Sequence, residues 1–192
     1  FPLHLRVPAW TRGAYVLVGK ERLDAVSGSF IRIERVWEES TQIRLEFPMP
    51  ARLIAGDNGT AAVARGPLVY ALRLEEEWRR VHADQPYHEL PHGDYEVVTP
   101  SNWNYGLLLR ADRMDEDVSF SQHPVGDIPF SPAGAPITAV VKGRRLLEWK
   151  MENGSAGKAP LSPVRSEQPL EKLTLIPYGC TNLRITEFPL LA

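Results

Sequence analysis

One cysteine, Cys180, stands in 192 residues; an internal disulfide is therefore excluded, and the redox compartment stays open. Long apolar runs are missing too, since none approaches the roughly 18–20 residues of a membrane span. Neither sign of charge is in excess: 22 Lys and Arg stand against 24 Asp and Glu, a net charge of −2. That balance gives no electrostatic argument for nucleic acid or an anionic membrane as a partner. The opening Phe1-Pro2-Leu3-His4 lacks the basic region and apolar stretch of a signal peptide. It begins directly on a strand pattern without Met, which reads as a piece cut from a longer chain. No internal repeat recurs at a fixed period.

What is present is turn chemistry. The 17 prolines and 14 glycines are dispersed, as in a turn-rich β protein rather than a low-complexity linker. A chain of this length can bury a real core, as one large sandwich or two small domains. The pattern is organised around Thr60–Leu74, a nearly unbroken apolar run interrupted by Arg65-Gly66-Pro67. A run buried on both sides and bent at Gly-Pro predicts two short central strands or one kinked strand. Before it, Leu3, Leu5 and Val7 alternate with polar residues, and Ala14–Val18 forms a second strand closed by Gly19 and Lys20-Glu21-Arg22. Phe30–Trp37 and the cleanly alternating Ile43–Phe47 follow, with Glu38-Glu39-Ser40 as a hairpin connection between them. Asp57-Asn58-Gly59 supplies a tight turn, because Asn-Gly tolerates positive φ.

After Leu74 the pattern loosens. Glu75–Asp84 has an apolar stripe of only Trp78 and Val81 and reads as a loop with helical tendency. Tyr95–Thr99 and Tyr105–Leu109 are strands, and Asp112–Asp117 is an acidic turn. Ile137–Val141 and Arg144–Trp149 read as a hairpin around Lys142-Gly143, and Glu152–Gln168 as a polar loop with Asn153-Gly154 at its tip. Lys172–Pro177 and Asn182–Phe188 close the chain as strands. The expected fold is all-β: two antiparallel sandwich-like subdomains, 1–74 and 75–192, with the seam over 72–95, long Pro-rich loops in the second and little helix.

Four passages carry a family resemblance: FPLHLRVPAW (Phe1–Trp10), VARGPLVYAL (Val63–Leu72), SNWNYGL (Ser101–Leu107) and LTLIPYGCTNLRITEFP (Leu173–Pro189). Together, and in this order, they resemble the C-terminal region of glycoside hydrolase family 127, the β-L-arabinofuranosidase-like family. Val18-Gly19 and Phe30–Trp37 fall where that family places a hairpin and a strand ending in Trp. The resemblance implies β-sandwiches that follow an α/α-barrel catalytic domain. It also implies that the nucleophilic cysteine, the catalytic glutamate and a zinc held by cysteines and glutamate all belong to the barrel. No catalytic residue and no cofactor carries over to this chain. The implied role is an accessory, scaffolding module of a bacterial glycoside hydrolase, with the barrel of the same parent as its partner. A docking face left bare would favour self-association. The compartment stays open between a bacterial cytoplasm and periplasm.

The residues offer several candidate sites. Asn102, Trp103, Asn104 and Tyr105 form the best sugar-binding candidate, because aromatic faces cover sugar C–H surface while amides bond hydroxyls. This supports a second reading, an autonomous carbohydrate-binding module using Trp103 and Tyr105. The plainer alternative is that Trp103 anchors its loop in the core with its indole N–H on a backbone carbonyl. Arg65, Trp37, Tyr178 and Arg184 read as structural anchors. Cys180, between two strands with no base or metal in its motif, reads as a buried thiol rather than a nucleophile. His88 and His92 stand four apart with Asp94 following, a spacing that suits a metal on a helix. Pro86 and Pro91 deny that helix, so this stretch reads as a polar surface loop, with no metal site. Asp112, Asp115, Glu116 and Asp117 cluster in one turn, which does not separate a general acid from a base. Asn58-Gly59-Thr60 and Asn153-Gly154-Ser155 fit the glycosylation sequon, and each also explains itself as a turn.

Overall fold

The computed structural model describes residues 1–192. Two compact units divide the chain: 1–51 with 65–67, and 52–64 with 68–192. The seam expected over 72–95 therefore falls wholly inside the second unit.

The first unit contains β1 (Pro2–Arg6), β2 (Tyr15–Val18), β3 (Glu21–Asp24), β4 (Phe30–Glu34) and β5 (Ile43–Glu46). β1 pairs antiparallel with β4, Leu3 opposite Ile33 and Leu5 opposite Ile31. β2 lies between β3 and β5 in a three-stranded sheet. Alternation turns Val16 and Val18 of β2 inward against Ile33, with Leu5, Leu23, Ile31, Trp37, Ile43 and Leu45 packed around them. Two small sheets thus share one core. Trp37 closes its edge, its indole Nε1 donating to the Phe1 carbonyl at 2.6 Å and its ring stacked on Phe1 at 5.7 Å.

Two expectations fail in this unit. Glu38-Glu39-Ser40 is not a hairpin, since β4 pairs with β1 and β5 with β2; the segment crosses between sheets. The polar stretch after Gly19 is a strand, β3. Gly19 at φ +61° turns the chain back onto β2, and β3 stays polar because it is an exposed outer strand.

The second unit is built on a seven-stranded sheet. Its strands are β6 (Ala51–Ala55), β7 (Ala61–Arg65), β8 (Leu68–Leu72), β11 (Tyr105–Leu107), β12 (Ser119–Gln122), β13 (Ile137–Arg145) and β16 (Glu171–Pro177). They run β11-β13-β16-β8-β7-β6, with β12 also on β13, and the sheet curls into half a barrel. Two hairpins stand outside it: β9 (Glu77–Val81) with β10 (Asp94–Val98), and β14 (Met151–Glu152) with β15 (Ser155–Ala156). The one short helix, α1, is Met114–Asp117. The chain is all-β, as its alternation predicts. The apolar run resolves into two strands, β7 and β8, with Gly66 at φ +55° in the break. Val63, Tyr70, Leu107, Val141, Leu175, Ile176 and Phe188 are fully buried and form the centre of the core.

Further corrections follow from long-range pairing. Lys142-Gly143 is not a turn; β13 runs straight through it, with Gly143 opposite Glu171 on one side and Leu107 on the other. A Cβ on Gly143 would lie 2.8 Å from the Gly106 carbonyl and 2.7 Å from Leu173 Cδ1. The glycine marks a close approach of backbones, not a bend. Glu75–Asp84 contains β9 instead of a helical turn, because β10 offers a partner that places Val97 opposite Trp78. Asn182–Phe188 is not a strand: the chain bends at Asn182 and Leu183. Its first amide bonds the Glu76 carboxylate at 2.7 Å, and ladder contact with β7 comes only at Phe188, which exchanges both backbone bonds with Ala61. No helix is long and apolar enough to cross a membrane.

Candidate functional site

The second unit holds a polar cleft of about 800 Å³, within the size range of small-ligand sites. The end of β8 and the residues after it supply Arg73, Glu75 and Glu76; the loop before β11 supplies Ser101 and Asn102; β11 supplies Tyr105; and β16 supplies Glu171 and Lys172. Strand pairing positions these groups, since Tyr105 begins β11 opposite Arg145, and Glu171 begins β16 opposite Gly143. Tyr105 is buried, and its hydroxyl donates to Glu171 Oε2 at 3.1 Å. Burial, and then the neighbouring Glu171 charge, push the Tyr105 phenol up from its ordinary pKa. The Glu75 amide donates to the Ser101 hydroxyl at 3.1 Å, tying two walls together.

Glu76 is committed to the fold. Its carboxylate accepts from the Thr181 hydroxyl at 3.0 Å and from the Asn182 amide groups at 2.7 and 2.9 Å. Burial raises its pKa, but the bonds from Asn182 and Thr181 outweigh that and hold the carboxyl below its usual range. A glycosidic general acid needs the opposite shift.

The four residues of the sugar-binding candidate do not converge. Asn102 and Tyr105 line the polar cleft. Trp103 is half-buried, packed edge-on to Trp149 at 5.1 Å, and lines a separate apolar pocket of about 230 Å³ with Val97, Met151 and Ile185. Asn104 is buried, its amide donating to the Leu146 and Trp149 carbonyls at 2.9 and 3.0 Å. Glu171 and Glu75 escape a sequence reading because they reach the cleft from positions 66 and 26 residues away from their partners Tyr105 and Ser101. A strand-pairing signal would have been needed to find them.

The remaining candidates have structural environments. Cys180 is buried with Ala135 and Ile176, its thiol donating to the Pro129 carbonyl at 3.3 Å. Burial pushes its pKa up, the wrong direction for a nucleophile. In the acidic run, Asp117 accepts from the Arg110 amide at 2.8 Å and its guanidinium at 2.6 Å, and Glu116 pairs with Arg110 and Arg113. The Arg110 hydrogen bonds hold Asp117 below its ordinary pKa. Arg184 lies 4.5 Å over the Tyr178 ring and donates to the Thr181 carbonyl at 2.9 Å, while Arg65 donates to the Met49 carbonyl at 3.1 Å. His88 and Asp94 do meet, but with His82 rather than His92.

Residues 1–49 match the family model "Beta-L-arabinofuranosidase, GH127 middle domain". That likeness to glycoside hydrolase family 127 is confined to the first unit's stretch of the chain. That model describes a middle domain, whereas the likeness in the four passages points to a C-terminal region. Over 132 residues, 65% of the chain, it is 28% identical to a non-reducing end β-L-arabinofuranosidase of Bifidobacterium longum subsp. longum. The fold is similar to the crystal structure of a GH127 β-L-arabinofuranosidase from Geobacillus stearothermophilus T6, with TM-score 0.57, 23% identity and 98% of the chain covered. A second solved structure, a glycoside hydrolase, is similar over 100% of the chain with TM-score 0.59 and 18% identity. The chain spans 17% of the curated relative's length and 26% and 28% of the two structures. The zinc that the family implies does not fit here: a cysteine-rich ligand set cannot be drawn from one buried cysteine whose thiol is engaged by a backbone carbonyl.

Proposed function

We propose that this chain is a non-catalytic accessory module of a β-L-arabinofuranosidase-like glycoside hydrolase, packing against an α/α-barrel catalytic domain of the same parent. The observation that carries the reading is the state of its chemical groups. The one thiol is buried and its pKa raised, and Glu76, the cleft carboxylate with a perturbed pKa, is shifted toward the ionised form by fixed bonding from Asn182, Thr181 and Leu183. Neither can act as the nucleophile or the protonated acid that glycoside hydrolysis requires. A docking surface is supported by the Pro-rich connection after β12, where Val125, Ile128 and Phe130 are 72%, 70% and 80% exposed. Mixing the chain with the separately expressed barrel of its parent tests the reading. A complex by light scattering, weakened by Ile128→Asp with Phe130→Asp, is the expected result; two non-interacting species would contradict it.

The second reading, carbohydrate binding, draws its support from the polar cleft rather than from the Trp103 pocket. Asn102 and the Tyr105–Glu171 pair offer donors and acceptors suited to hydroxyls. Titration with arabino-oligosaccharides separates the two loci: saturable binding lost in Asn102→Ala and kept in Trp103→Ala supports the cleft, and the reverse supports the tryptophan.

A further inference from the structure

The connection between β9 and β10 brings three metal-ligating side chains to one point, and the carbohydrate reading uses none of them. His82 directly follows β9, and Asp94 opens β10 opposite Val81 in the hairpin register. His82 adopts a left-handed backbone, φ 52°, a conformation uncommon outside glycine and often found where a side chain must be aimed. So placed, His82 Nδ1 lies 3.3 Å from Asp94 Oδ2. His88 Nδ1 reaches the same oxygen at 3.1 Å. The loop that carries His88 is held by Arg80, which donates to the His88 carbonyl at 2.8 Å, and by the Gln85 amide bonding the His82 carbonyl at 3.0 Å.

These separations have a specific chemical meaning. A tetrahedral zinc with bonds of ~2.0–2.1 Å sets its ligand atoms about 3.3 Å apart. Two of the three edges already have that length, and all three ligand atoms lie within 4.8 Å of one another. Rotation of the exposed His82 ring closes the third. Two imidazoles and one carboxylate suit zinc and similar transition ions, whereas calcium and magnesium favour shells of oxygen ligands. We propose that His82, His88 and Asp94 form a binding site for a divalent transition cation, with Zn²⁺ the best-matched ion and a fourth position left to solvent. The prolines at 86 and 91 that deny a helix do not deny the site, because hairpin register does the work that helical spacing does elsewhere. His92, the partner that spacing alone suggests, lies outside the cluster.

The test uses the full chain, stripped with a chelator and titrated with ZnCl₂ by calorimetry. Uptake of one ion per chain is expected, at least about tenfold weaker in His82→Ala, His88→Ala and Asp94→Asn and unchanged in His92→Ala. Circular dichroism without zinc checks that each variant keeps its fold. Cobalt absorption on the unaltered chain needs no variant, and intense visible bands of a tetrahedral ion are expected. Absence of saturable zinc uptake, uptake equal in Asp94→Asn, or a cobalt spectrum of octahedral intensity would each overturn the proposal and leave the cluster as ion pairing alone.

Discussion

At the scale of single residues, polar side chains in this chain mostly serve the backbone. Asn104 is the clearest case, since its amide satisfies two carbonyls in a buried corner. Asn104→Ala should cost about 1–3 kcal/mol in denaturant melts, because both acceptors stay buried without a donor, and should leave sugar titrations unchanged. Glu76 gives a pH signature. Its folded pKa lies below the unfolded value, so its contribution to stability is complete above the unfolded carboxylate range and is lost as pH falls through the folded pKa. Glu76→Gln should therefore lower the melting temperature near neutral pH and converge with the parent chain in acid; parallel curves at all pH values would contradict the bonding described. Such roles are barely legible in sequence. Asn102 and Asn104 look alike in SNWNYGL, yet one faces a cleft and the other is sealed under Trp149, a difference set by contacts more than 40 residues away.

At the scale of elements, local alternation made β1, β2, β4 and β5 legible, and Asn58 at φ 56° and Asn153 at φ 50° sit in the turns that Asn-Gly predicts. Partner choice was not legible. Short strands carry no mark of which neighbour they will find, so the β4–β5 connection reads as a hairpin when it is a crossing. Gly143 shows how one residue can carry two meanings: a turn signal in sequence, a close backbone approach in the sheet. Gly143→Val should destabilise by about 1–3 kcal/mol through overpacking against β11 and Leu173, where a true turn glycine would act through φ. At the C-terminal segment, Phe188 is fully buried and bonded both ways to Ala61. Phe188→Ala should cost about 3–5 kcal/mol, measurable by urea unfolding, although no strand is assigned there.

At the scale of the molecule, the all-β class and the family likeness are legible because both rest on strand patterns and four ordered passages. The division into units is less so: the seam is expected over 72–95, but the units part at 51–52 and around 65–67. The central claim of the proposed function is that this chain is not itself a catalyst. The most direct measurement is turnover of an activated aryl β-L-arabinofuranoside by the purified chain, with and without zinc. A rate equal to buffer alone under both conditions is predicted. Saturable turnover that disappears in Cys180→Ser or Glu171→Gln would contradict the claim and move the chemistry into this chain.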